Sequence, residues 1–338
     1  MSTGGRESVK DVRYNSGFVA TESTRRGSRH TMRQDPKQRI IIEEQGPRDG
    51  FQSEETVVPT DRKLEIIDAL ADAGVSRIQV CSFVHPKSVP QMADAEAVCA
   101  GLRRRPGIVY SGLVLNLTGV ERAVAAGLDH VAVSISASDT HSRKNTGTSL
   151  EEAQTGYAEM VRTAKAAGLT VRGGLQCAFG CRFEGRIDPD AVVDLVKRHL
   201  DLDIDELALA DSTGMANPRA MQELMGPVVE LAGDRPVLLH LHDTEGKGLA
   251  NAMAAIDVGV RYFDTAFAGM GGCPFIKGAT GNISTEDLVT MLHQMGIETG
   301  VDVRAVAAIS ADVESFFNKS FPGSMHRVLA NESIKVVI

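Results

Sequence analysis

From Arg39 onward, short runs rich in β-branched residues alternate with longer stretches whose apolar residues recur at helical spacing, and the alternation can be counted eight times. A strand, a crossover helix and a second strand form a parallel pair, so this rhythm restricts the chain to a parallel sheet with helices packed on it. The strands are expected at Arg39 to Glu44, Arg77 to Cys81, Ile108 to Leu113, His130 to Ile135, Thr170 to Gln176, Glu206 to Ala210, Pro236 to Leu241 and Arg261 to Asp264. Eight units predict a closed α/β barrel, the (β/α)8 TIM barrel. Asp61 to Ala73 illustrates the helices: Leu64, Ile67, Leu70 and Ala71 make one apolar face, and Gly74 ends it. Gly127, Gly168 and Gly259 repeat that stop, each just before a strand. A doubly wound open sheet shares the rhythm, but no Gly-x-Gly-x-x-Gly follows the first strand.

The chain divides into three parts. Residues 1–37 are rich in Ser, Thr, Gly and Arg without apolar periodicity and are expected to form a loose, disordered N-terminal arm. Residues 38–300 supply the barrel, and 301–338 a C-terminal helical extension packed on it. The arm lacks the apolar core of a signal peptide, and its acidic residues Glu7, Asp11, Glu22 and Asp35 do not suit a transit peptide. No run of about 18 apolar residues predicts a membrane span.

At 338 residues and 43% hydrophobic content, the chain can bury one large core. A formal charge of -8, with no basic stripe interleaved with aromatics, argues against nucleic acid as a partner. Cys81, Cys99, Cys177, Cys181 and Cys273 make no disulfide framework, which points to a reducing, cytoplasmic setting and a metabolic role.

A TIM barrel places its chemistry at the C-terminal ends of its strands, and the unusual polar residues fall there. Arg48 and Asp49 follow the first strand, in Gly46-Pro47-Arg48-Asp49-Gly50. Gln79 and Ser82 lie on or after the second, Asn116 after the third, and Asp211 ends the sixth. His240 and His242, two apart on the seventh, can face one cavity. Two imidazoles and the Asp49 carboxylate suit a divalent cation, with Mg, Mn, Fe, Co and Zn all compatible. An isolated His-x-His can instead hydrogen-bond inside a core, but convergence of these groups on one mouth favours the metal. Asp211 is read as orienting substrate or a histidine, or as capping the following turn, and Asp264 carries the same two readings. After the eighth strand comes a glycine-rich stretch, Gly269 to Asn282, which reads as a lid or a close approach to a ligand.

Taken together, Gly46-Pro47-Arg48-Asp49-Gly50-Phe51-Gln52, Ser82-Phe83-Val84, Pro86-Lys87, Val89-Pro90-Gln91-Met92, His240-Leu241-His242-Asp243-Thr244 and Gly271-Gly272-Cys273-Pro274 resemble the 3-hydroxy-3-methylglutaryl-CoA lyase family from Arg39 to about Gly300. The resemblance implies a metal-dependent carbon–carbon lyase that splits a branched 3-hydroxyacyl-CoA into acetyl-CoA and a keto acid. It implies Asp49, His240, His242 and Asn282 as ligands of Mg or Mn, with Arg48, Cys273, His240 and Asp211 catalytic. In it, Arg48 steadies an enolate oxygen and Cys273 moves a proton. Gln52, Gln79, Ser82, Asn116 and His141 are expected to line the acyl-CoA site, and the protein is expected to form a dimer or tetramer.

Three positions depart from the family pattern. Gln79 stands where relatives carry glutamate, so it can neither offset the charge of Arg48 nor accept a proton. His141 replaces an aromatic apolar residue and either adds a titratable group near the mouth or stands in a solvated loop, and Glu55 lies near where relatives often carry lysine. A Claisen-type synthase joining acetyl-CoA to a 2-oxo acid, or a barrel that binds without turnover, are the competing readings.

Overall fold

The computed structural model describes residues 39–272 and 280–330. Eight parallel strands close into a barrel in chain order: β1 (Ile41–Glu44), β2 (Arg77–Ser82), β3 (Val109–Val114), β4 (His130–Ser136), β5 (Thr170–Gln176), β6 (Glu206–Asp211), β7 (Val237–Leu241) and β8 (Tyr262–Thr265). β8 returns to β1 with Ile41 beside Tyr262 and Glu44 beside Thr265. Every expected strand is present within two residues of its expected ends. The open-sheet alternative is excluded by this closure.

The crossovers carry helices α1 (Thr60–Asp72), α2 (Ala95–Gly101), α3 (Leu117–Ala125), α4 (Asp139–Thr146), α5 (Leu150–Ala166), α6 (Pro189–Leu200), α7 (Pro218–Ala232) and α8 (Gly248–Asp257). Local chemistry sets their ends. Ser149 accepts from the Glu152 amide while Glu152 reaches back to the Ser149 amide, a reciprocal cap that starts α5. Pro189 and Pro218 open α6 and α7, where a missing N–H has no intrahelical partner to lose. Gly74 and Gly168 both sit at φ +83°, past the ends of α1 and α5, in the left-handed region where a side chain is disfavoured.

The largest apolar core lies between strands and helices, where Val80, Val131, Val171, Leu207 and Leu239 join Ile67, Leu70, Val161, Val196 and Leu224, all buried. Beyond β8 the chain adds α9 (Thr285–Gln294), α10 (Val303–Phe317) and α11 (Met325–Leu329). The Asp302 amide donates to the Ala73 carbonyl at 2.8 Å, and the rings of Phe51 and Phe317 lie 6.3 Å apart, so α10 covers the flank of α1 and the turn after β1. The expected N-terminal arm and the apolar tail from Ser333 to Ile338 lie outside the described residues. No described helix is long and apolar enough to cross a membrane.

Candidate active site

β1 ends in a wide helical turn, Gly46–Gly50, that delivers Arg48 and Asp49 to the barrel mouth. The amides of Arg48, Asp49 and Gly50 all donate to the Gln45 carbonyl, at 3.1, 2.7 and 3.3 Å. A Cβ at Gly46 would lie 2.2 Å from the Phe267 ring, so only glycine permits this turn to sit against the β8 exit. Behind it, the buried Glu44 carboxylate accepts from the Gly46 amide (2.7 Å), the Phe267 amide (3.0 Å) and the Thr285 hydroxyl (2.6 Å). Burial pushes the Glu44 pKa up to about 8, so this clamp between the β1 and β8 exits holds a proton at neutral pH.

Asp49, His240 and His242 meet at the mouth, each offering a ligand atom within 4.8 Å of the others. Nε2 of His242 is 3.0 Å from Nε2 of His240 and 3.9 Å from Oδ2 of Asp49. Asn282 donates from Nδ2 to Asp49 (2.7 Å) and to the Met270 carbonyl (2.9 Å), while its buried Oδ1 has no hydrogen-bond partner among the described residues. Burial would raise the Asp49 pKa, but Arg48 and the two histidines prevail and hold it at about 2. Burial, with help from His240 and Arg48, pushes His242 down to about 4. Asp49 is therefore ionised and His242 neutral near pH 7, the states in which both can ligate a cation.

These observations test whether a divalent ion fits. Nε2 of His240, Nε2 of His242 and the Asp49 carboxylate converge on one point, and the buried Asn282 amide oxygen beside the carboxylate has no partner among the described residues. A cation among Asp49, His240, His242 and Asn282 would take all three donors and satisfy that oxygen, so the residues present fit one. Nδ1 of His240 pairs with Oδ2 of Asp264 at 3.1 Å, which leaves Nε2 as the nitrogen presented to the mouth.

Arg48 is held on three sides. Its Nε donates to Gln79, its Nη1 pairs with Asp49, and its Nη2 donates to Gln45 at 2.9 Å. Beside these groups is a cavity of about 190 Å³ lined by Gln52, Gln79, His141, Asn145, Arg172, Ser212 and Asp264, with apolar walls from Leu113, Ala132, Leu175 and Ala208. A side chain at Gly271, at φ +114°, would place its Cβ 2.4 Å from Nδ2 of Asn282 and 3.2 Å from Asp49. Gly272 is at the cavity rim. Cys273 lies outside the described residues.

Some expected residues stand elsewhere. Both oxygens of Asp211 accept amides, from Met215 and Ala216 at 3.0 Å each, so its carboxylate builds the turn after β6 and does not line the cavity. Burial pushes its pKa up to about 6. Asn116 caps α3 by accepting from the Gly119 amide at 2.8 Å, and it lines a neighbouring cavity. Ser82 donates to Gln52 at 3.2 Å, and Gln52 lines both cavities. Of the two readings of His141 the solvated loop is corrected: the residue lies in the first turn of α4, is buried, and lines the central cavity, where burial lowers its pKa.

A belt of buried charge beneath the mouth escaped the sequence reading. Glu43 on β1 pairs with Arg77 on β2 (2.8 Å) and Arg172 on β5 (3.0 Å). Arg77 also reaches Glu206 on β6 (2.6 Å), His130 on β4 meets Glu206 (3.0 Å), and Arg172 meets Asp264 on β8. Barrel interiors are usually filled with branched aliphatic side chains. The available signal was a charged residue inside each apolar run, as in Ile41-Ile42-Glu43 and Val171-Arg172-Gly173.

Comparison with known proteins agrees with this geometry. Residues 39–313 match the HMGL-like family. The chain is 45% identical over 267 residues to a cytoplasmic 3-hydroxy-3-methylglutaryl-CoA lyase of Danio rerio, covering 79% of this chain and 80% of that protein. It is 40% identical over 284 residues to a mitochondrial hydroxymethylglutaryl-CoA lyase of Bos taurus, covering 84% and 87%. Among solved structures, an HMG-CoA lyase from Acinetobacter baumannii in complex with coenzyme A and 3-methylmalate superposes with a TM-score of 0.84 at 38% identity, over 89% of this chain and 98% of that one.

Proposed function

Because this chain belongs to the HMGL-like family and is a carbon–carbon lyase, we propose that it cleaves 3-hydroxy-3-methylglutaryl-CoA to acetyl-CoA and acetoacetate with Mg or Mn held by Asp49, His240, His242 and Asn282. The observation that carries the reading is the meeting of Asp49, His240 and His242 beside the Arg48 guanidinium at one barrel mouth. The mixed nitrogen and oxygen donor set accommodates Mg or Mn as it does Fe, Co and Zn, and the choice of Mg or Mn follows the family resemblance. When bound, the ion supplies Lewis-acid polarisation of the substrate's hydroxyl and carbonyl oxygens.

The chain's own residues do the rest. Transfer of the tertiary hydroxyl proton to the Cys273 thiolate lets the neighbouring carbon–carbon bond break, leaving the keto group of acetoacetate on one fragment and the acetyl-CoA enolate on the other, and the same thiol then holds the proton the enolate needs. Arg48 cannot lose its charge at any working pH, and its three anchors aim it before the charge develops, so it steadies the enolate oxygen. Asp264 fixes the ring of His240 through Nδ1. The apolar walls from Leu113, Ala132, Leu175 and Ala208 keep water from the enolate. Cys273 is assigned the proton that returns to the enolate carbon, a role a thiol can fill near neutral pH. Gln79 takes no proton in this scheme; its amide oxygen orients Arg48. The buried free thiols Cys81, Cys99 and Cys181 support a reducing, cytoplasmic setting.

The test is incubation of purified protein with Mg or Mn and a panel of branched 3-hydroxyacyl-CoA thioesters, following acetyl-CoA. Acetyl-CoA and acetoacetate in equal amounts from 3-hydroxy-3-methylglutaryl-CoA, abolished by chelator, are expected. Folded, metal-loaded protein that yields acetyl-CoA from no member of the panel overturns the proposal.

A further inference from the structure

An asparagine can turn either its amide oxygen or its amide nitrogen toward a cation, and only the oxygen is a ligand. The surroundings of Asn282 decide between them. Nδ2 has two hydrogens and both are taken, one by Oδ2 of Asp49 at 2.7 Å and one by the Met270 carbonyl at 2.9 Å. The buried Oδ1 is left as the end with no partner among the described residues. A reversed amide would set its oxygen against two others with no hydrogen to share.

The Met270 carbonyl follows a turn that needs outside support. Within Phe267–Gly269, Ala268 sits at φ +56°, in the left-handed region that a residue with a Cβ seldom adopts. Such a conformation persists where the surrounding structure fixes it. Here a carboxyl from another element does so: the Ala268 amide donates to both oxygens of Glu286, at 3.2 and 3.0 Å, at the start of α9. Glu286 is fully buried and is itself held by the hydroxyls of Ser284, at 3.0 Å, and of Ser310 on α10. The Met270 amide then donates to the Phe267 carbonyl at 3.2 Å, which closes the turn just before the carbonyl that Asn282 uses.

We propose that Glu286 is a positioning residue for the metal site: by fixing the turn at Ala268 it sets the Met270 carbonyl, and so decides which end of Asn282 meets the ion. Its carboxyl is spent on the Ala268 amide and two serine hydroxyls, so it acts through Asn282 and not on the ion itself. The inference rests on Asn282 being a ligand, and adds what makes it one.

Calorimetric titration with Mn reads binding without turnover, and it is run on wild type, Glu286→Met, Glu286→Gln, Asn282→Ala and the Glu286→Met, Asn282→Ala double variant. Methionine removes the acceptor, whereas glutamine keeps an oxygen for the Ala268 amide while a serine hydroxyl rotates to accept from its NH2. Glu286→Met is expected to weaken Mn binding about tenfold or more, and Glu286→Gln to stay within about threefold of wild type. Once Asn282 is alanine, adding Glu286→Met is expected to weaken binding little further, because both changes remove one ligand. A merely structural role would instead add its loss in full. Glu286→Met that stays within about threefold of wild type while Asn282→Ala loses tenfold overturns the proposal and leaves the ligand reading standing, as does full additivity in the double variant. Wild-type affinity in Asn282→Ala removes the ligand reading, and the proposal with it. Should Glu286→Met fail to fold, Glu286→Asp serves in its place, since it keeps the buried carboxyl and draws it back by one methylene.

Discussion

Replacing Asp264 by asparagine keeps its shape and removes its charge, and the structure says what that does. Oδ2 of Asp264 meets Nδ1 of His240 at 3.1 Å and also pairs with Arg172. Carboxylate partners of ligating histidines are worth roughly 10- to 100-fold in metal affinity, so Asp264→Asn is expected to weaken Mn binding by about 1.4 to 2.7 kcal/mol. Arg172 is also left buried with Glu43 as its sole remaining anion among the described residues, and Glu43 is shared with Arg77. Breaking a buried pair outright costs about 3 to 5 kcal/mol. Because Arg172 keeps Glu43, the loss here is expected at roughly 2 to 3 kcal/mol. Calorimetric titration with Mn reads the first quantity, and urea unfolding of the metal-free protein reads the second. If Asp264→Asn stays folded and binds Mn within about threefold of wild type, while His240→Ala loses binding, the idea that Asp264 positions the ligand is wrong.

Three further outcomes follow from the geometry. Arg48→Met is expected to lower kcat by roughly 10²- to 10³-fold with little change in KM, since the guanidinium acts on charge that appears only in the transition state; steady-state kinetics on the thioester read the split. Gly271→Ala forces a Cβ to 2.4 Å from Asn282 at φ +114°, a strain of about 1 to 3 kcal/mol, and Mn titration should show binding weakened by about tenfold or more. His199, buried and stacked on Tyr157 with ring centroids 3.9 Å apart, has its pKa pushed from 6.5 down to about 3 by burial, so it gains a proton only on unfolding. Its contribution is whole above pH 6.5 and lost as pH falls from there toward 3; relative to His199→Phe, wild type should lose about 2 kcal/mol more between pH 7 and pH 5 by urea unfolding.

The barrel was legible because periodicity and glycine stops act locally: Gly74, Gly127, Gly168 and Gly259 all adopt the positive φ that a helix end before a strand demands. The meeting of Asp49 with His240 and His242 followed from topology alone, since β1 and β7 flank β8 in a closed sheet. What could not be read was the partner of each polar group. Asp211 and Asp264 looked alike, each a carboxylate at a strand end, yet Asp211 turns to amides four and five residues ahead while Asp264 faces across to His240. Sequence spacing does not distinguish a side chain that bonds its own loop from one that bonds the next strand. His141 was left between two readings for a related reason: its polar neighbours Ser138, Asp139 and Arg143 suit a solvated loop, yet the helix that Ser138 caps places it at the cavity wall.

The ionic belt constrains how this protein can vary over generations. Its members come from β1, β2, β4, β5, β6 and β8, and each charge answers one on another strand. A change at Glu43, Arg77, Arg172 or Glu206 strands a charge far away in the chain, so tolerated substitutions there must arrive as matched sets. Homologous barrels should therefore keep or exchange these positions together, and a designer grafting only the mouth onto another scaffold would have to carry its foundation along.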